Sequence, residues 1–520
     1  MMSGRDKAWC CSVCGYVHRG PEPPEACPVC GASQSLFEPQ ADSSPPAAMP
    51  GGNPWRCLSC GYVHVGLQPP TECPACGALA DRFEPASESG EGDSPIFADH
   101  ARRMVPGKSG QSPGAPGAGQ ATRVVIVGAG IAAVAAVESL HVASPLAEIA
   151  VVSKESELPY YRLNLTRYLA GEIGEQDLPI HPAAWYEERK VRLLLGAEAS
   201  AIHPKDHVVE LSGGEMLPFD KLLLAAGAHP FIPPFPGADQ RGVTSLRTAE
   251  NAREILAACR AGAKCVCIGG GLLGLETAGG LARQGADVTL LEGHAWLMPR
   301  QLNQRAGEIL NACVAETGIK LRTKAATREI VGNGQVRGVL LEDGDIVSAD
   351  LVVIATGIRS NSHLARRAGL EVNQGVVVDN LLTTSHPDVF AAGDVAEHHG
   401  QVYGIWGPSQ YQGSIAGLNL AGGCVEFGGV PRSNTLKVLG KDVFSIGQIH
   451  AEDASFHAID QQWDGRYLRF VFRENRLVGA VLLGDTKLTA AVKQAVESRT
   501  DFSALLAKCP DAAEVVDAFA

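Results

Sequence analysis

The chain has 520 residues, 45% of them hydrophobic and 19% charged, and a formal net charge of −13. That length fits about three to four domains with ample core, and the acidic balance argues against nucleic-acid and anionic-membrane partners. The N-terminal stretch MMSGRDKAWCC has no apolar signal core. No apolar run reaches the roughly 18 residues that span a bilayer, so the composition predicts a soluble, cytoplasmic protein without a membrane partner.

Of the 15 cysteines, nine fall in the first 76 residues. Residues 9–39 read WCCSVCGYVHRGPEPPEACPVCGASQSLFEP, and residues 55–85 repeat them as WRCLSCGYVHVGLQPPTECPACGALADRFEP, offset by 46 positions. Each copy carries two Cys-x-x-Cys pairs: Cys11, Cys14, Cys27 and Cys30, then Cys57, Cys60, Cys73 and Cys76. Two thiolates on one tight turn face one metal, and two such knuckles close a tetrahedral site with four sulfurs. Disulfides fit a cytosolic chain poorly. Cys10 aligns with Arg56 and is not expected to be a ligand. His18 and His64 are repeated, but each site already has four sulfurs, so they are read as surface or neighbouring residues. A tetrahedral four-sulfur site suits iron or zinc.

Domain boundaries follow from composition. The first repeat is assigned to 5–40 and the second to 51–86, joined by a Pro/Gly/Ser linker. A longer linker covers 87–121 and includes GKSGQSPGAPGAGQA, a composition that supports no core. As a flexible coil it spans roughly 30–36 Å. That reach lets a tethered domain visit the main body at roughly millimolar effective concentration.

The main body begins at VVIVGAGIAAVAAV (Val124–Val137). A β-branched run ends in Gly128-Ala129-Gly130, and a small-residue helix follows with Ala133 in the third place. This is the strand–turn–helix fingerprint of dinucleotide binding: a tight turn, a bare backbone for the pyrophosphate, and close helix–strand packing. The next strand is expected at Glu148–Ser153, with Glu155 as the acid for the adenosine ribose. The second copy lies in CVCIGGGLLGLETAGGLARQGADVTLLEG, with Gly269, Gly271 and Gly274. Its next strand ends at Glu292, 18 residues after Gly274. A carboxylate there accepts from the ribose 2′-hydroxyl and repels a 2′-phosphate, which favours NADH over NADPH. Glu276, two residues past Gly274, reads as a helix-face residue, and resemblance to related enzymes that carry Glu there equally implies a place near the nicotinamide.

Further segments complete a resemblance. Pro159-Tyr-Tyr-Arg162, the turn at Ala226-Gly227, the turn Ala355-Thr356-Gly357, and Gly393-Asp394 followed by WGPSQYQGSIAGLNLAGG stand in that order. Together with the two fingerprints they resemble the FAD-dependent pyridine nucleotide-disulfide oxidoreductase superfamily, in its NADH:rubredoxin reductase and nitrite reductase large-subunit branch. Ala226 stands where threonine is usual in that family. The N-terminal repeats resemble the short rubredoxin domain of rubrerythrins, with Trp9, Tyr16 and Phe37, and Trp55, Tyr62 and Phe83, as the apolar shell.

The resemblance implies a glutathione-reductase-like α/β fold. In it the FAD domain (122–240 and 357–424) carries an inserted NAD domain (241–356), followed by a small α+β C-terminal domain (425–520) that usually supports a dimer. It assigns the first fingerprint to FAD and the second to NADH. It places Arg162 near the flavin, Asp394 on the ribityl hydroxyls, and one iron in each repeat.

Absences narrow the chemistry. Disulfide reductases of the superfamily carry a Cys-x4-Cys pair after the FAD fingerprint, and its peroxide and oxygen reductases a single cysteine in the region of Tyr161–Tyr168. This chain has no cysteine between Cys76 and Cys259. No protein acid or base is assigned as catalytic. The resemblance therefore implies electron flow from NADH through FAD to the fused iron sites and on to an external acceptor protein of unknown identity. The alternative is zinc-bearing docking repeats beside a flavoprotein with another acceptor.

Overall fold

A computed structural model describes residues 121–430, 433–438, 441–463 and 465–519, together with Ala80 and six short N-terminal strands. In the first repeat, Lys7–Cys11 lies between Val17–Gly20 and Phe37–Gln40 in an antiparallel sheet. In the second, Asn53–Cys57 lies between Val63–Gly66 and Phe83–Pro85. The repeat extends to strand register: Cys11 stands opposite Phe37 and Cys57 opposite Phe83. The expected ligands Cys14, Cys27, Cys30, Cys60, Cys73 and Cys76 lie outside the described residues.

The first dinucleotide fold is a five-stranded parallel sheet. Its order is Val389–Ala391, Lys221–Leu224, Arg123–Val127, Glu148–Ser153 and Arg192–Leu195. These strands read as continuous aliphatic runs because parallel strands are covered on both faces. Val124, Val125, Ile126, Leu222, Leu223 and Leu224 are all buried. The strand expected at Glu148–Ser153 has those bounds.

The second fold repeats the plan with Val243–Thr244, Leu351–Ile354, Lys264–Ile268, Asp287–Glu292 and Lys320–Thr323, again all parallel. The two folds are joined by a pair of crossing strands, Ala228–Pro230 antiparallel to Ile358–Ser360. The C-terminal part is a five-stranded antiparallel sheet from Ser433 to Leu483, followed by Thr489–Glu497 and two shorter helices.

The helix after the first fingerprint, Ile131–Ala143, packs on Trp406–Leu420 at very short range. A Cβ on Gly413 would lie 2.2 Å from the Ala132 carbonyl oxygen, and one on Gly417 would lie 2.4 Å from that of Ala136. Glycines four apart on one helix meet alanines four apart on the other, so both contacts fall on one seam.

Candidate dinucleotide sites

Both fingerprints fold into the same turn. Gly128 N–H donates to Val152 O at 2.8 Å, and Gly269 N–H donates to Leu291 O at 2.8 Å. Gly128 has φ +109° and Gly269 φ +113°. A Cβ at Gly128 would meet the Ala225 carbonyl at 2.2 Å, and one at Gly269 the Ala355 carbonyl at 2.5 Å. Only glycine satisfies both the dihedral and the space.

The next positions are open. A Cβ on Gly130 or Gly271 meets nothing within 4 Å. These residues cap Ile131–Ala143 and Leu272–Arg283 with matching extended dihedrals, no side-chain cap and no acidic residue in the first turn. Each helix thus presents unsatisfied backbone N–H groups and its positive end to open space, the arrangement that receives a phosphate. In the third place Ala133 is buried. A Cβ at Gly274 would fall 1.8 Å from Gly269 O, so the second turn is the tighter of the two.

Around the first turn the structure gathers an ion cluster. Arg162 pairs with Glu155, and Tyr160 Oη donates to Glu155 Oε2 at 2.5 Å. Arg162 Nη1 donates to Tyr160 Oη at 2.8 Å and to the Arg247 carbonyl at 2.9 Å. Arg247 Nη2 reaches Asp394 Oδ2 at 3.3 Å. Burial pushes the Arg247 pKa down, and Asp394 opposes that shift. Ser409 Oγ donates to Asp394 Oδ1 at 3.1 Å, and Gly393 turns the chain with φ +83°. The sequence singled out Glu155 and Arg162 separately; the structure couples them. Arg247 was not singled out, and its one local signal is its place just before the Thr248 cap of Ala249–Ala258.

The two turns beside the crossing strands are each pinned from the other side. Asn361 Nδ2 donates to Ala226 O at 2.8 Å, and Asn361 N–H donates to Gly227 O at 2.9 Å. Thr356 Oγ1 donates to Phe231 O at 2.6 Å, and Phe231 N–H donates to Gly357 O at 2.8 Å. Ala226 has no hydroxyl to offer, and Asn361 supplies the tie at that turn.

In the second fold Glu292 is buried. Its Oε2 accepts from Gly270 N–H at 2.8 Å, and its Oε1 accepts from His294 N–H at 2.7 Å. The acid at the strand end therefore lies against the glycine turn, where a ribose beyond the pyrophosphate would sit. Glu276 faces the other fold: Thr166 Oγ1 donates to its Oε2 at 2.9 Å. Burial raises the Glu276 carboxyl to about 7. Arg283 with Glu172, Arg253 with Glu157, and Gln284 Nε2 with Leu169 O add ties across the same junction.

Residues 122–415 match the family described as pyridine nucleotide-disulphide oxidoreductase. The chain belongs to that family. As a pyridine nucleotide-disulphide oxidoreductase it carries two additions, a match to the rubredoxin NAD+ reductase C-terminal domain at 433–500 and to the rubrerythrin rubredoxin-like domain at 9–38 and 55–84. It is 36% identical to a nitrite reductase [NAD(P)H] of Bacillus subtilis, over 73% of this chain and 48% of the relative. It is 28% identical to an NADH-rubredoxin oxidoreductase of Clostridium acetobutylicum, over 74% and 96% of the two chains. The crystal structure of NADH:rubredoxin oxidoreductase from that organism superposes with a TM-score of 0.66 at 27% identity, covering 76% of this chain and all of the other. The chain spans about half the length of the nitrite reductase relative.

Of the six described thiols of this pyridine nucleotide-disulphide oxidoreductase, Cys265, Cys267 and Cys313 are buried and Cys424 and Cys509 are exposed. Cys265 and Cys267 are buried in the central strand of the second sheet. Burial pushes the Cys265 thiol up to about 12 and raises that of Cys267 as well. A protonated, enclosed thiol is a poor nucleophile. The Tyr161 ring lies 6.2 Å from that of Trp406. Among the described residues no helix is long and apolar enough to cross a membrane.

Proposed function

We propose that the chain is an NADH-dependent flavoprotein oxidoreductase that passes electrons through FAD to its own rubredoxin-type iron sites and on to an external acceptor protein. One observation carries the reading. Two open, uncapped glycine turns share a chain with two four-cysteine repeats, and no cysteine lies between Cys76 and Cys259. The relative named NADH-rubredoxin oxidoreductase supports it, since here the rubredoxin-like domains are fused to the reductase.

Bound FAD supplies a two-electron hydride acceptor that releases electrons singly. The residues hold and orient. Gly128, Gly130 and Ala133 admit the FAD pyrophosphate to the start of Ile131–Ala143. Arg162 lies near the flavin, Glu155 and Tyr160 fix its guanidinium, Arg247 holds Asp394, and Gly393 and Asp394 take the ribityl hydroxyls. Gly269, Gly271 and Gly274 receive the NADH pyrophosphate, and Glu292 its adenosine ribose. Ala226, Gly227 and Gly357 let the backbone approach the nucleotides. Cys11, Cys14, Cys27 and Cys30 hold one iron, and Cys57, Cys60, Cys73 and Cys76 the other. No side chain is required to move a proton in hydride transfer.

An anaerobic NADH titration of the full chain, followed in the visible range and paired with metal analysis, tests this. One iron per repeat and one flavin per chain, with bleaching of both the flavin and iron–thiolate bands, is the expected result. Zinc in the repeats with bleaching of the flavin alone would overturn the internal relay and leave the repeats as docking modules. The double variant Cys11→Ser with Cys57→Ser should keep flavin reduction and stop transfer to an outside acceptor.

A further inference from the structure

Gln412 is buried to 1% exposure on the helix Trp406–Leu420. Its Oε1 accepts from Gly393 N–H at 2.8 Å in a buried hydrogen bond. Because a backbone N–H must meet an oxygen, the orientation of the amide is decided: the other end is Nε2, which carries two donors. That nitrogen is buried and has no partner among the described residues. Leaving a buried donor unpaired is unfavourable, and that asks for a partner from outside the chain.

The position of Gln412 narrows what that partner is. Ser409, three residues earlier on the same helix face, donates to Asp394 Oδ1 at 3.1 Å. Gly413, the next residue, lies against the Ala132 backbone in the first turn of Ile131–Ala143. A Cβ on Gly393 would meet Ala132 Cβ at 3.0 Å. Gln412 therefore sits where the Gly393-Asp394 turn meets the open start of the first fingerprint helix. A phosphate at that helix start and hydroxyls at Asp394 would flank it on both sides.

We propose that Gln412 is a cofactor-positioning residue: Oε1 fixes the Gly393-Asp394 turn, and Nε2 donates to the pyrophosphate–ribityl segment of FAD. The assignment rests on the FAD reading of the first fingerprint. The test measures FAD affinity of the full-length apoprotein by quenching of flavin fluorescence, beside the thermal midpoint of the same apoprotein. Gln412→Leu removes both functions of the amide. Gln412→Glu keeps an acceptor for Gly393 N–H and removes the donor.

Both variants should weaken FAD binding about tenfold or more. FAD affinity within twofold of wild type in the Glu variant, or an apoprotein midpoint that falls while FAD affinity holds in the Leu variant, would overturn the donor role and leave a structural brace. Failure of the wild-type apoprotein to take up FAD would instead defeat the parent reading. That outcome is visible before any variant is made.

Discussion

Asn361 reaches across the crossing strands and donates its side-chain amide to the Ala226 carbonyl at 2.8 Å. The same side chain's Oδ1 lies 2.7 Å from His229 Nδ1. One residue just past the returning strand thus holds both the turn and the strand that leaves it. Asn361→Leu removes the amide and leaves the Ala226 carbonyl without that donor. A loss of about 1 kcal/mol in unfolding free energy is expected, with faster release of flavin on dilution. Unchanged urea midpoint and unchanged flavin release would mean that the pin is idle.

The seam between Ile131–Ala143 and Trp406–Leu420 leaves no room for a methyl group. Gly413→Ala places a Cβ 2.2 Å from a carbonyl oxygen, so the helices must part. Overpacking of this kind costs about 1–3 kcal/mol. The first-fold cofactor is expected to suffer more than NADH, since the seam carries Ser409 and Gln412. Flavin content after gel filtration, compared with the NADH KM of the flavin-loaded fraction, separates the two effects.

Glu292 braces the second glycine turn through Gly270. Glu292→Ala should raise the KM for NADH about tenfold while FAD stays bound, since one charge-assisted ribose contact is worth about 1.5–3 kcal/mol. The ratio of NADH to NADPH efficiency should fall toward one as the repulsion is removed. A preserved ratio would assign the discrimination to another group.

Glu276 stands between the folds with its carboxyl raised to about 7. A folded-state pKa above the unfolded one means that the folded chain holds a proton the unfolded chain has lost. Stability is therefore full below about 4.5 and declines as pH rises through about 7. Glu276→Gln cannot ionise. Its thermal midpoint should vary less than that of wild type across this window, measured with the apoprotein in buffers of equal ionic strength. Parallel midpoint curves for the two proteins would refute the assignment.

Local pattern carried the backbone of the fold. The aliphatic run before Gly128, the small residues after it and the second copy at Gly269 are signals of a few residues each, and both turns form as expected. The expected ligand cysteines repeat at a constant offset, and the register of Cys11 with Phe37 and Cys57 with Phe83 keeps that offset. What stayed hidden was non-local. Arg247, Asn361 and Gln412 gain their roles from partners far along the chain, at Asp394, Ala226 and Gly393. No period or spacing encodes such pairs. Glu155 was legible as a strand-end acid, but its pairing with Arg162 depends on how the Pro159–Arg162 loop folds back. The short helix Asn164–Leu169, which docks Thr166 on Glu276, has too few residues to leave a periodic trace.

The strands Ala228–Pro230 and Ile358–Ser360 run side by side. The chain thus departs from one nucleotide fold and comes home at a single doorway. Everything between those strands is a cassette with one entrance, and its own sheet closes without borrowing a strand from the host. Such a layout lets the second nucleotide fold be exchanged whole. A graft of residues 241–356 from a relative with a different nicotinamide preference should carry that preference with it, provided the graft keeps Arg247 for Asp394, Glu276 for Thr166, Gln284 for Leu169, Asn303 for Tyr467 and Thr356 for Phe231.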